Sequence, residues 1–424
     1  MRPTGRLHIG HYFGALSNWL RMQEEYDCFY FVADWHALTT HYEDTASIAE
    51  NTLQVVTDWL AVGLDPVKST IFVQSQILEH AELHLLLSMV TPLSWLERVP
   101  TYKELIENLK DRDLGTYGFL GYPLLQAADI VMYGETKADL LVPVGEDQAP
   151  HVELAREVVR RFNANYGFGM RADAFSEEKK KLMREAVDPL PLVPARDVAY
   201  SAEQRDDITR FFIRNAHEAG VQNFYAARPA AAKLSRAADI LREPDVILTE
   251  TPRLPGTDGR RMAKSYGNAI WLSDPPDEIR AKVRNMMTDP QRVRRTDPGR
   301  PEVCPVFAYH KLFSSAETLA WSDHGCRTAE IGCVDCKKAM ADGLDRWIEP
   351  IQARRRGFEA RPGEVWDILD AGSDKARKVA KKTMKRVRDA IFHWDRERQT
   401  RETASAASAR KTASSAASSA AIEK

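Results

Sequence analysis

The chain is 424 residues long, 44% hydrophobic and 28% charged, a composition that can bury cores in more than one domain and excludes a wholly disordered or membrane-embedded protein. Its 59 Lys and Arg stand against 61 Asp and Glu, and the net charge of −2 gives no global reason to expect a polyanionic partner. Apolar runs fall short of the roughly 20 residues that cross a bilayer, and the first residues lack a secretory layout, so the expected compartment is the cytoplasm.

Residues 10–25 carry apolar side chains at helical spacing, and 28–33 form a short apolar, aromatic run that ends at Asp34, which predicts a helix and then a buried strand. The alternation continues with a helix over 45–62, a strand over 70–74, helices over 79–90 and 123–133, a strand over 140–144 and a helix over 148–162. This order predicts an α/β fold, a Rossmann-like doubly wound parallel sheet assigned to 1–166, with ligands beyond the carboxyl ends of its strands. From 167 to 246 the pattern loosens around Pro189, Pro191, Pro194 and Pro229, an insertion without an assigned role. Residues 247–275 return to the sheet domain, and 276–398 lose strand patterns and read as an all-helical C-terminal domain. The segment 399–424 is an Ala/Ser-rich tail with too few large apolar groups to offset ordering entropy, and it is expected to be disordered.

Two loops carry phosphate chemistry. Pro3-Thr-Gly-Arg-Leu-His8-Ile-Gly10-His11 leads into a helix, whose free N–H groups and positive dipole end suit an anion, with His8 and His11 as donors and Gly10 allowing close approach. By itself the His-x-x-His pattern reads better as a pair of helix-capping histidines. The second loop, 256–265, is punctuated by glycine and places Arg260, Arg261 and Lys264 beside Ser265; alone it is a basic surface loop.

As a pair, HIGH at His8–His11 and RMAKS at Arg261–Ser265 resemble the signature motifs of class I aminoacyl-tRNA synthetases. Tyr122, Gln126 and Asp129 fall at i, i+4 and i+7 on one helical face, and VPVGEDQ, from Val142 to Gln148, follows a strand and opens a helix. With ADWHALT at 33–39, these segments resemble the tryptophanyl-tRNA synthetases over 1–165 and 247–395. The tyrosyl enzymes are the nearest pattern, and the PVGEDQ form and the following domain favour tryptophan.

The resemblance implies ATP-dependent formation of tryptophanyl-adenylate and transfer to tRNA(Trp), with a homodimer as the assembly. It implies that Asp129 accepts the indole N–H, that Tyr122 and Gln148 hold the ammonium and carboxylate, and that Gln126 lines the same pocket. Val142 and Val144 serve as pocket walls or as plain strand core. Arg2, Pro3, Thr4, Gly10, Gly145, Glu146 and Asp147 are implied for ribose and adenine, Glu146 and Asp147 also suiting helix capping. Leu254, Arg261, Met262, Ala263, Lys264 and Ser265 complete the ATP site, where His8, His11 and Lys264 meet a triphosphate carried with Mg2+. Ala263 stands where serine is common. Only seven residues precede His8, whereas the family has a strand there, so the expectation is a chain that begins late with an unpaired sheet edge. That departure keeps open a catalytically weak paralogue that binds RNA or senses redox state.

Cys304-x21-Cys326-x6-Cys333-x2-Cys336 gathers four thiols, which suit tetrahedral Zn2+ and a four-iron cluster alike on ligand chemistry. A subset of tryptophanyl-tRNA synthetases carries nearly this spacing and a [4Fe–4S] cluster, and by that resemblance iron–sulfur is expected. Cys28 reads as a structural thiol. Around the cysteines, 280–300 hold seven Arg/Lys against two Asp/Glu, and 351–398 hold fourteen against eight, so the neutral total conceals basic stretches suited to tRNA phosphates.

Overall fold

The computed structural model describes residues 1–99, 115–248, 254–394, 398 and 401, so the Ala/Ser-rich tail lies almost wholly outside the described residues. Six strands are present among them: β1 (Cys28–Val32), β2 (Ser69–Val73), β3 (Leu140–Val144), β4 (Phe168–Met170), β5 (Ser235–Ala237) and β6 (Pro244–Leu248). β1 pairs in parallel with β2, Cys28 opposite Ser69, and β3 pairs in parallel with β6, Leu140 opposite Pro244. Every residue of β2 is buried, which is why it reads as a continuous apolar run instead of an alternating one.

The leading loop enters α1 (Ile9–His11), a π turn (Tyr12–Leu16) and α2 (Ser17–Met22), together the helix that periodicity predicts over 10–25. After β1 come α3 (Asp34–His41) and α4 (Ile48–Val62), then beyond β2 α5 (Glu79–Ser88), α6 (Leu93–Glu97), α7 (Tyr117–Leu120) and α8 (Tyr122–Val131). α9 (Ala149–Phe162) follows β3 with its apolar residues on one face. The two parallel pairs, β1–β2 and β3–β6, clothed by these helices, make up the Rossmann-like part of the fold among the described residues. Met1 lies beside its edge: the Met1 ammonium donates to Phe31 O at 2.7 Å, and Ala33 N–H donates to Met1 O at 2.8 Å.

The 167–246 stretch is more ordered than its sequence suggests. It folds as α10 (Lys180–Val187), α11 (Ala202–Ala219), α12 (Val221–Ala227) and α13 (Pro229–Leu234) beside the antiparallel β4–β5 pair. Met183, Val187, Ile208, Phe212, Phe224 and Leu234 bury a separate core there. The prolines interrupt the periodicity between helices, not within α11, whose start is fixed by a Ser201–Gln204 capping box.

Beyond residue 273 the chain is helical, as predicted: α14 (Pro276–Arg284), α15 (Pro305–Phe313), α16 (Ala316–Arg327), α17 (Cys333–Glu359) and α18 (Pro362–Phe392). These helices share cores with the sheet domain. Met340, Leu344, Ile348 and Ile351 of α17 pack with Leu7, Ile9 and Val55, while Ala376, Ala380, Met384 and Val387 of α18 pack with Phe72, Leu83 and Leu124. α18 crosses β2 so closely that a methyl group at Gly372 would sit 1.8 Å from Ile71 O. Only glycine fits that crossing.

Candidate functional site

The two signature loops meet. Leu272 N–H donates to Leu7 O at 2.9 Å, Ile9 N–H donates to Ile270 O at 3.0 Å, and His8 and Trp271 form an antiparallel bridge. Lys264 Nζ reaches across to donate to Thr4 O and Gly5 O, both at 2.9 Å, and to Thr4 Oγ1 at 3.2 Å. Asn268 holds the second loop in shape: its side chain accepts from Ala263 N–H and donates to Arg261 O and Asp258. Met262 and Leu254 are buried beneath, while Arg2, Arg261 and Ser265 are exposed and Pro3 is buried.

Burial governs the charges here. The His8 and His11 rings lie 3.7 Å apart, tilted by 36°, with His8 N–H donating to His11 Nδ1 at 3.1 Å. Desolvation first, and the neighbouring cations second, push His8 down to about 4; desolvation and then His8 push His11 down to about 3. Both rings are therefore neutral at pH 7 and able to donate to phosphate without charge. His8 Nδ1 is buried with no partner, and a methyl group at Gly10 would press within 2.9 Å of it. The capping reading and the ligand reading coexist, since the backbone contact uses His11 Nδ1. Burial also lowers Lys264 to about 8, opposed by the field of Asp58.

The second half of the site is built around Asp129, 3% exposed on α8. Its carboxylate accepts from His36 Nε2 at 2.7 Å and His80 Nδ1 at 2.5 Å, and from Gln74 Nε2 at 2.8 and 2.9 Å. Burial would raise its pKa, but the two histidines reverse that and hold it well below the usual carboxylate range. His80 Nε2 lies 2.6 Å from Tyr133 Oη, extending the chain of hydrogen bonds. His36 also packs edge-on to Tyr122 at 4.5 Å, whose hydroxyl is pushed up by burial, with the positive charge of Arg2 acting the other way. Gln126 Oε1 is 2.6 Å from His151 Nδ1. Tyr122, Gln126 and Asp129 thus share a face of α8 that histidines from α3, the β2–α5 region and α9 cover. Gln74 Oε1 and His36 Nδ1 are buried beside Asp129 without partners, polar groups available to a ligand.

Val142 and Val144 are half-buried on β3, and Gly145 leads into the turn of Glu146 to Gln148, where Glu146 is exposed. The side chain of Asp147 lies outside the described residues. Sequence reasoning missed His36, Gln74, His80 and Tyr133. Their signal was positional: Gln74 follows the last residue of β2, and Asp34 and His36 follow β1, the strand ends where such sheets bind ligands.

Cys304, Cys326, Cys333 and Cys336 line one small cavity with Thr288, Asp289, Arg292 and Val306. Burial pushes the Cys336 thiol up to about 12, and the other three cysteines add to the rise. Arg292 Nη1 approaches Cys326 Sγ at 3.6 Å. Among the described residues, no group of three or more His, Cys, Asp or Glu side chains is already drawn into a metal-holding arrangement. The donor set nevertheless fits a soft metal, because four crowded thiols become thiolates together only around positive charge. No described helix is long and apolar enough to cross a membrane.

A family model for class I tRNA synthetases (W and Y) matches residues 1–189 and 221–348. The chain is 48% identical over 399 residues to a tryptophan–tRNA ligase of Ralstonia nicotianae, covering 92% of this chain and 96% of that one. It is 45% identical over 393 residues to the tryptophan–tRNA ligase of Thermotoga maritima, covering 92% and 97%. In structure it resembles the tryptophanyl-tRNA synthetase of Campylobacter jejuni crystallised with ADP and tryptophan, with a TM-score of 0.69 at 26% identity over 92% of this chain and 98% of that one.

Proposed function

Because the chain belongs to the class I tRNA synthetases, and within them to the tryptophanyl enzymes, its activity is tryptophan–tRNA ligation, and we propose here how its residues divide the work. The observation that carries this division of roles is the contact of Lys264 with Thr4 and Gly5, which joins the two signature loops at one place.

In the first step the tryptophan carboxylate attacks the α-phosphorus of ATP, a new P–O bond forms, and the bond to the bridging oxygen breaks to release pyrophosphate. No covalent enzyme nucleophile is needed; positioning and charge stabilisation lower the barrier. His8 and His11 donate to phosphate oxygens as neutral rings, and Lys264 supplies the cation, leaving Thr4 and Gly5 as its loop closes over the triphosphate. Mg2+ carried by the nucleotide would neutralise charge on its phosphate oxygens. Gly10, Met262 and the exposed Arg2, Arg261 and Ser265 surround the nucleotide, with Pro3, Thr4, Leu254, Ala263, Gly145, Glu146 and Asp147 completing that site. Asp129 recognises the indole N–H, and Tyr122, Gln126 and Gln148 orient the amino acid between the Val142 and Val144 walls. In purified protein, pyrophosphate exchange into ATP should depend on tryptophan and be absent with tyrosine; tyrosine-driven exchange would reverse the substrate assignment.

tRNA(Trp) is the acceptor of the adenylate. The exposed Lys375, Lys378, Lys381, Lys382 and Lys385 of α18 and the exposed Arg294 and Arg295 offer phosphate contacts. A homodimer is supported by an apolar, exposed stripe: Leu78 is 69% exposed, Leu85 53%, Met89 68% and Leu93 57%. Sedimentation equilibrium reads the mass directly. As a translation enzyme it works in the cytoplasm.

The four cysteines would hold a [4Fe–4S] cluster, with Zn2+ as the alternative occupant. The cluster would cross-link Cys304, at the start of α15, to the C-terminal end of α16 and the N-terminal end of α17, and supply order, not chemistry at the ATP site. Anaerobically purified protein should be brown with about four irons per chain; colourless protein with one zinc would sink this assignment.

A further inference from the structure

One turn of α17 reaches both signature loops. Asp58, on α4, is fully buried, and its Oδ2 accepts the Leu7 N–H at 2.7 Å, one residue before His8. Its other oxygen accepts from Arg355 Nη1, and Arg355 Nη2 donates to Gln54 on α4. One turn earlier on α17, Gln352 Nε2 donates to Asp274 O at 2.7 Å and to Leu272 O at 3.3 Å. Leu272 is the residue whose N–H donates to Leu7 O, beside the Trp271–His8 bridge. A side-chain pair three residues apart on one helix therefore clamps the backbone ahead of His8 and the backbone after Lys264.

None of these side chains belongs to the nucleotide site itself. A buried ion pair is seldom more stabilising than well-packed apolar groups of the same volume, so stability alone does not account for it. Its geometry does something else: it sets where Leu7, Leu272 and Asp274 sit. Asp58 also acts on the Lys264 ammonium, favouring its charged form, while burial pushes the Asp58 carboxyl up to about 6.

We infer that Asp58, Arg355 and Gln352 are positioning residues for adenylate formation, a clamp by which α17 holds the His8–His11 loop and the Lys264 loop in mutual register. The inference rests on the reading of these loops as the ATP site. α17 begins at Cys333 and carries Cys336 in its first turn, so the same helix runs from the cysteine cavity to the clamp.

The test uses Gln352→Leu and the double variant Asp58→Asn/Arg355→Met, which leaves no unpaired buried charge. Binding of a non-hydrolysable ATP analogue, tryptophan binding without nucleotide, exchange kinetics and thermal unfolding are measured on each. The clamp predicts a loss in kcat/KM for ATP on the order of 10- to 100-fold, a weaker analogue affinity and unchanged tryptophan affinity, and it predicts that Arg355→Lys restores part of the loss seen in Arg355→Met. Wild-type ATP constants in Gln352→Leu and in the double variant would overturn it, as would lowered unfolding temperature with unaltered kinetics. Should the double variant fail to fold, Gln352→Leu decides alone. A wild-type protein that binds the analogue yet shows no tryptophan-dependent exchange would defeat the functional reading while leaving the analogue comparison to judge the clamp.

Discussion

Replacing Lys264 with alanine should lower kcat/KM for ATP in pyrophosphate exchange by about 10²–10³-fold, the cost of removing one preorganised charge donor from a developing phosphoryl charge. The same lysine sets a pH limit. Burial lowers its pKa to about 8, so the ammonium loses its proton as pH rises through that value and the free enzyme loses its cation. The kcat/KM profile for ATP, which reports the free enzyme, should therefore fall above about pH 8. Lys264→Arg, which stays protonated at any accessible pH, should move that alkaline limb upward while retaining part of the activity. A limb that stays put in the arginine variant would assign it to another group. His8 and His11, held near 4 and 3, titrate far below this range, so neither of these two rings contributes a limb between pH 6 and 8.

Asp129→Ala should produce a larger and double effect. Two histidines and a glutamine converge on its carboxylate, and removing the acceptor strands all three donors in a buried site. Losing the partner of buried charged or polar groups costs about 3–5 kcal/mol, which should appear as a lower midpoint in urea. Tryptophan should also lose most of its advantage over analogues in which the indole N–H is replaced, because discrimination by a hydrogen-bonding site comes from leaving its groups unpaired. Exchange kinetics with tryptophan and with such an analogue measure that ratio. Both unfolding and selectivity close to wild type would place Asp129 outside the recognition site. Asp129→Asn, which keeps the shape, should lose less stability than selectivity.

The fold was readable because its signals are local. β3 has the predicted limits, 140–144, and α9 starts one residue after its predicted start, because a short apolar run followed by an amphipathic stretch leaves little choice. The insertion was not readable as structure, since Met183, Ile208, Phe224 and Leu234 lie on short helices whose individual periods are too brief to register and become a core only on contact. In the site, the loops at His8 and Lys264 were visible because each is a contiguous motif. The groups around Asp129 were hidden for the opposite reason: His36, Gln74 and His80 come from three separate segments, and only the parallel pairing of β1 with β2 brings them to one carboxylate. Asp58 and Arg355 are 297 positions apart, beyond the reach of any local pattern.

The crossing of α18 over β2 at Gly372 bears on how the protein is made. Phe72 and its neighbours are covered by side chains as late as Val387, so a ribosome that has already released every residue of the two signature loops has still not delivered the cover of the half built around Asp129. Until α18 emerges, the nascent chain carries an apolar sheet face open to water and to chaperones. The catalytic half is therefore completed only by the last long helix, and nicking the chain between α17 and α18 should strip a wall from it and not merely an appendage.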